Sequence, residues 1–159
     1  MQLVTTSKRE PLVSRFPFPH AFGVEMNRCT YRVIYGDTDQ MGVVYYANYL
    51  VFFERGRCEF MREHGFDYGA FEREGFFVPV VDAAVRYRQP ARFDDLITIE
   101  TNVGATTRIT FEFRYRVTKQ RAGDEIVVAT GSTRHACMDR NGRPVRVPPA
   151  LQTLLFPQA

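Results

Sequence analysis

The chain has 159 residues, 45% of them hydrophobic, and carries a net charge of +3. That suits one domain with a real core and argues against general disorder. The charge is too small to argue for nucleic acid, and no apolar run of about 18 residues offers a membrane span.

The chain divides into an extension over 1–25, a patterned domain over 26–142 and a tail over 143–159. The extension holds Lys8, Arg9, Pro11, Pro17 and Pro19 and has no continuous apolar stretch. It is expected to be irregular and is not a secretory signal. From Cys29 to Tyr35 the residues alternate. Tyr31, Val33 and Tyr35 are expected on one side of a first strand, with Thr30, Arg32 and Ile34 on the other. A polar loop follows, with Asp37, Asp39 and Gly42. Then Tyr46, Tyr49, Leu50, Phe53, Gly56, Phe60 and Met61 recur at helical steps, giving a long helix with an apolar stripe. Gly65 is placed to cap it, after Arg62 and His64 in the last turn. Tyr49 to Phe53 is apolar all round, so that stretch should be covered on more than one side. Gly56 should allow a neighbouring backbone close.

Asp67 to Glu74 reads as a short second helix, ended by Gly75. The rest reads as strands. Val81, Ala83, Val85 and Tyr87 alternate up to Pro90, which ends the run. Ile97, Ile99, Thr101 and Val103 mark the next strand. Ile109, Phe111, Phe113, Tyr115 and Val117 give the strongest period-two signal, alternating with Arg108, Thr110, Glu112, Arg114 and Arg116. Ala122 to Glu125 is a turn. Ile126 to Met138 is the last strand, with Gly131 expected as a bend. Pro148 and Pro149 open a tail that could end in one helical turn. Strands joined by short turns imply an antiparallel sheet, and one long helix can cover one face of it.

The chemistry is expected between Tyr35 and Tyr49. A strand end, a loop with two carboxylates and a helix start meet there. The orphan amides of a helix start favour negative charge. A carboxylate base beside an anion site is what hydrolysis of an activated acyl group requires. On local sequence alone, Asp37 and Asp39 could equally cap a turn. A calcium loop starting at Asp37 fails, because its fifth position is Met41 and its twelfth is Asn48. There is no GxSxG and no glycine-rich phosphate loop. Cys29, Cys58 and Cys137 are odd in number and form no CxxC. A disulfide framework or zinc site is thus not expected, and a reducing, cytoplasmic compartment fits. Lys8 and Lys119 are the only lysines among 21 basic residues. Such arginine use suits phosphate contact and equally a general codon bias.

Asp37-Thr38-Asp39, Gly42-Val43-Val44-Tyr45-Tyr46, Tyr49 and Phe53-Glu54-Arg55-Gly56-Arg57 resemble the signature of hotdog-fold acyl-CoA thioesterases, the 4-hydroxybenzoyl-CoA thioesterase group. Pro90-Ala91-Arg92-Phe93-Asp94-Asp95-Leu96 resembles the same family. The resemblance runs from about Cys29 to about Asp139. It implies an α+β hotdog fold, an antiparallel five-stranded sheet wrapped around one long helix. It implies Asp39 as general base or nucleophile, and Asp37 as a loop-bonding residue. It implies an oxyanion and substrate site at Gly42, Tyr45, Tyr46 and Tyr49, through the main chain more than the side chains. Some relatives carry His where this chain has Tyr46. Arg108 would meet the phosphates of coenzyme A, although Thr107 stands where one close pattern has a second basic residue. An acyl-CoA substrate, no metal or other cofactor, and a homodimer or homotetramer with its site at the interface are implied too. Two rivals remain. A hotdog dehydratase would need a catalytic His near the helix. A binding module would hold acyl-CoA without releasing thiol.

Overall fold

Phe111, Phe113, Tyr115 and Val117 are all fully buried, so the strongest alternation in the sequence marks the inner face of the sheet. They lie on β4 (Thr110–Arg121) in a computed structural model that describes residues 26–155. The extension 1–25 lies outside the described residues. The other elements are β1 (Asn27–Arg32), α1 (Asn48–Glu63), α2 (Tyr68–Arg73), β2 (Val80–Tyr87), β3 (Leu96–Thr106), β5 (Asp124–Ala136) and α3 (Pro149–Leu155). The five strands form one sheet in the order β1-β3-β4-β5-β2, and every neighbouring pair is antiparallel. The expected fold class is observed.

The sheet curls around α1, which buries Tyr49, Phe52, Phe53, Gly56, Phe60 and Met61. Phe53 stacks flat on Tyr115, with ring centroids 4.3 Å apart. Gly131 lies beneath this stack. A methyl group there would run into both the Phe53 ring and the Ala84 carbonyl. Its role is therefore close approach, and the expected bend is elsewhere: the β4–β5 register slips between Val117 and Thr118. Gly56 likewise admits the Thr101 and Ile99 side chains of β3, where a neighbouring backbone was expected. The end of α1 follows the expected pattern: Gly65 N–H donates to Arg62 O at 3.0 Å and Phe66 N–H to Met61 O at 2.9 Å.

Three sequence readings change. The first strand ends at Arg32, and a single 3-10 turn over Tyr35–Asp37 follows. Tyr35 therefore leaves the inner face and is 74% exposed. The helix begins at Asn48, so Tyr46 is not on its stripe. The tail from 143 carries α3, whose Leu151, Leu154 and Leu155 join the same core. Their spacing of three and four puts them on one helical face.

The outer face of the sheet accounts for part of the arginine usage. Glu100, nearly buried, lies 2.8 Å from both Arg28 and Arg116, and Arg116 also reaches Glu125. Glu112 lies 2.6 Å from Arg114 and 3.8 Å from Arg134. These pairs cover the face that carries no helix, and as partly exposed pairs each adds little to stability.

A buried polar chain crosses the inner face. His135 Nδ1 lies 3.0 Å from Val78 O, so that nitrogen carries the hydrogen and donates. Nε2 then accepts from Thr133 at 2.9 Å, and Tyr115 donates to Thr133 at 2.7 Å. Burial pushes the His135 pKa down to about 4. Between about 4 and the ordinary value near 6.5, the unfolded chain holds a proton that the folded chain does not. Stability therefore falls as pH falls through that window, by on the order of 3 kcal/mol in total. His135→Gln should flatten this part of the stability curve, measured by urea unfolding at several pH values. An unchanged slope would mean that other groups govern it.

Candidate active site

β1 delivers the chain to the sheet end where β3 begins. Val33 N–H donates to Asp95 O at 3.0 Å, and the chain then turns into the aspartate loop. Asp37 stabilises the turn. Its Oδ2 accepts from Ile34 N–H and from the Tyr31 hydroxyl, both at 2.9 Å. Its carbonyl accepts from Tyr45 N–H at 2.8 Å and from the Asn48 side chain at 2.9 Å. These bonds match the loop-bonding role expected for it.

Asp39 heads a tighter loop. Its N–H donates to Val43 O at 3.0 Å, and its own carbonyl accepts from Gly42 N–H at 2.9 Å. Gly42 has φ +70°, a left-handed conformation that glycine adopts without strain. Met41 N–H donates to Asp39 Oδ1 at 2.8 Å, which orients the carboxylate. The other oxygen takes no hydrogen bond among the described residues. Asp39 itself is half-buried.

The chain then runs through Tyr45, Tyr46 and Ala47 into α1. No side chain caps that helix start. The Asn48 and Leu50 amides donate instead to Tyr45 O and Ala47 O, at 2.9 and 3.1 Å, and the positive end of the helix dipole faces the loop. Tyr87 holds this entry from the far edge of the sheet: its hydroxyl donates to Tyr46 O at 2.9 Å, and its ring lies edge-on to Tyr49. Arg92 holds the other side, donating to Gly42 O at 3.2 Å. Neither residue was picked out individually from the sequence. Tyr87 had one signal, as the last inward position of the β2 alternation. Arg92 had another, inside the motif from Pro90 to Leu96.

The three tyrosines differ. Tyr49 is buried, and burial pushes its hydroxyl up to about 12, so it packs and does not titrate near neutrality. Tyr45 and Tyr46 are exposed, and their rings lie 4.5 Å apart. Hydrogen bonding to Tyr46 raises the Tyr45 pKa, with a smaller push from the Asp39 charge. Glu54 lies 3.9 Å from Arg57. Among the described residues, no group of His, Cys, Asp and Glu could hold a metal ion.

Arg108 is not at a strand start. It lies exposed in the β3–β4 hairpin, with its carbonyl accepting from Val147 N–H at 2.9 Å. That hairpin is the opposite end of the sheet from Asp39. The 11 residues of β3 separate the two ends, roughly 33 Å at about 3.3 Å per residue. Within one protomer, therefore, Arg108 is not brought to Asp39.

An antiparallel sheet curled round one long helix is the hotdog architecture. The chain belongs to the thioesterase-like superfamily, whose family model matches residues 33–155. It is 37% identical over 117 residues to a putative esterase of Aquifex aeolicus, covering 74% of this chain and 88% of that one. It is 36% identical over 109 residues to the acyl-CoA thioesterase YbgC of Haemophilus influenzae, covering 68% and 77%. The solved structure of a 4-hydroxybenzoyl-CoA thioesterase has a TM-score of 0.75 at 23% identity, covering 82% of this chain and 98% of that one. That likeness shows the fold.

Proposed function

We propose that this protein hydrolyses an acyl- or aroyl-CoA thioester to the free acid and coenzyme A, with Asp39 as the reacting carboxylate. The observation that carries this reading is the half-buried Asp39 at the head of the loop that enters the uncapped start of α1. The thioesterase relatives support it. In one route the Asp39 carboxylate takes a proton from water, and the water oxygen attacks the thioester carbonyl. In the other, Asp39 attacks the carbonyl, releases the thiolate and leaves an anhydride that water then cleaves. Both pass through an oxyanion. The amides of Gly42 and Tyr45 are taken up by the carbonyls of Asp39 and Asp37, which corrects the expectation for those two, so the main chain at Tyr46 and Tyr49, at the helix entry, is the part suited to hold it. A thioester is already activated, so a base and an oxyanion site suffice and no cofactor is required. Thiol release across a panel of short, long and aromatic acyl-CoAs tests the reading. Tight binding of every member with no thiol released would make the protein a binding module.

The working unit is a homodimer or a homotetramer. β2 is an edge strand, and Val80, Val81 and Tyr87 along it are about half exposed. On α1, Leu50 and Val51 are 40% and 48% exposed. These are the residues expected to need a second cover, and one chain does not supply it. Light scattering should show a dimer or larger. A stable, active monomer at micromolar concentration would overturn this.

A two-fold pairing along β2 reverses one sheet against the other. It brings the β3–β4 hairpin of one copy to the Asp39 end of its neighbour. Arg108 then meets coenzyme A phosphates across the interface. Arg108→Ala should raise KM for the full substrate with kcat near its original value, and should leave a truncated pantetheine thioester unaffected. High salt should mimic the change. If KM stays unchanged, Arg108 does not hold the phosphates.

The compartment is the cytoplasm. Cys29, Cys58 and Cys137 are free thiols, as a reducing environment keeps them. Among the described residues, no helix is long and apolar enough to cross a membrane.

A further inference from the structure

The Asp39 loop closes on its own hydrogen bonds, but its place against the sheet is held from outside. Its carbonyls and amides lean on the segment Pro90–Asp95, which precedes β3. Val44 N–H donates to Ala91 O at 2.8 Å, and Arg92 donates to Gly42 O at 3.2 Å. Phe93 stacks on Tyr35 at 3.8 Å, on the other flank of the loop. One segment thus touches the loop on both sides.

That segment is bent in a way that needs support. Asp94 has φ +68°, a left-handed conformation that costs a residue with a side chain about 1 kcal/mol or more. Arg32 bonds the Asp94 carbonyl at 2.7 Å from outside. From inside, Asp95 closes the bend. Its Oδ2 accepts from Arg92 N–H at 2.8 Å and from Lys119 Nζ at 2.7 Å. Lys119 also donates to Pro90 O at 2.9 Å, so it ties the two ends of the bend together. The lysine side chain is 12% exposed and the Asp95 side chain 29%. Burial works against the Asp95 charge, yet the bonds from Lys119 and Arg92 hold its carboxyl below the usual range. The chain from β4 to the reacting carboxylate therefore runs Lys119, Asp95, Arg92, Gly42, Asp39.

We infer that Lys119 and Asp95 are positioning residues for thioester cleavage: together they fix the segment that sets the place of Asp39. Neither reaches the substrate. Both sit on the perimeter, away from the aromatic core under α1, so their loss moves the loop more than it unfolds the domain. A misplacement of about 1 Å at a reacting group can cost on the order of 100-fold in rate. This rests on Asp39 being the reacting group, and the test separates the two ideas.

The test measures kcat and KM on the best acyl-CoA of the panel for four variants: Lys119→Met, Asp95→Asn, the two together, and Asp39→Asn. Rates are taken per folded molecule, with folding checked by circular dichroism. Each single variant should lose about 10- to 100-fold in kcat with KM within about twofold. The double variant should lose no more than the worse single one, because the two residues act as a unit. Singles with kcat within about twofold of the original, a loss confined to KM, or losses that multiply would each overturn the inference. If Asp39→Asn keeps full activity, it is the catalytic reading that fails.

Discussion

Asp39→Asn should leave a folded oligomer with little thioesterase activity. The substitution keeps size and an oxygen able to accept from Met41 N–H, so the loop geometry survives. It removes the charge and the basicity. Losing a positioned base costs about 10²- to 10⁴-fold in rate, or roughly 3–5 kcal/mol of barrier. If Asp39 is the nucleophile, the loss should be at least as large, and the original protein should yield a trapped acyl-enzyme. Asp37→Asn should behave differently. Its Oδ2 accepts two hydrogen bonds, from Ile34 and Tyr31. An amide oxygen can still accept both, but without the carboxylate charge that strengthens them, so stability should fall by about 1–3 kcal/mol while the rate per folded molecule holds. The check is kcat and melting temperature for both variants on one acyl-CoA. Near-normal kcat for Asp39→Asn together with an inactive Asp37→Asn would swap the two roles.

Phe53→Ala should be the most damaging core substitution. Phe53 is fully buried, stacks on Tyr115 and fills the space that Gly131 leaves. Truncation removes that stack and opens a cavity where the curled sheet meets the helix. Such losses run to about 3–5 kcal/mol, against total stabilities of roughly 5–15 kcal/mol. The melting temperature should drop by on the order of 10 °C. Phe53→Leu keeps most of the volume and should cost less than half as much. Both belong at one fixed protein concentration, because assembly stabilises the folded state by mass action. An Ala variant that melts with the original protein would mean that α1 is not anchored through this residue.

The elements that were plain in the sequence are those whose own periodicity answers to burial. β4 read correctly because every second residue faces α1, and period two has no other cause in so long a run. α1 read correctly at Tyr49, Phe53, Gly56, Phe60 and Met61 for the same reason at helical spacing, whereas Leu50, expected on the same stripe, is exposed. Asp37 and Asp39 stood out through their motif, since a loop this short leaves few ways to arrange its bonds. The reading failed where contacts came from far along the chain. Tyr35 continues the alternation of β1, yet stacking on Phe93 and the Asp37 turn draw it out of the strand. Gly131 looked like a bend because sequence cannot show that Phe53 lies over it.

What the sequence determined by itself is the inventory: one helix long enough to carry a full apolar stripe, strands to wrap it, and a carboxylate loop at the helix start. Local propensity and pattern suffice for that, because each signal lies within a few residues. What only the tertiary structure decided is which distant groups meet. β2 pairs with β5 at one edge of the sheet, and this carries Tyr87 to the Tyr46 carbonyl. The bend at Asp94 carries Arg92 to Gly42, and Lys119 arrives from the end of β4. The same topology sends Arg108 to the far end of the sheet. These meetings depend on strand order and register, set by the burial of the whole core at once, and no local stretch encodes them.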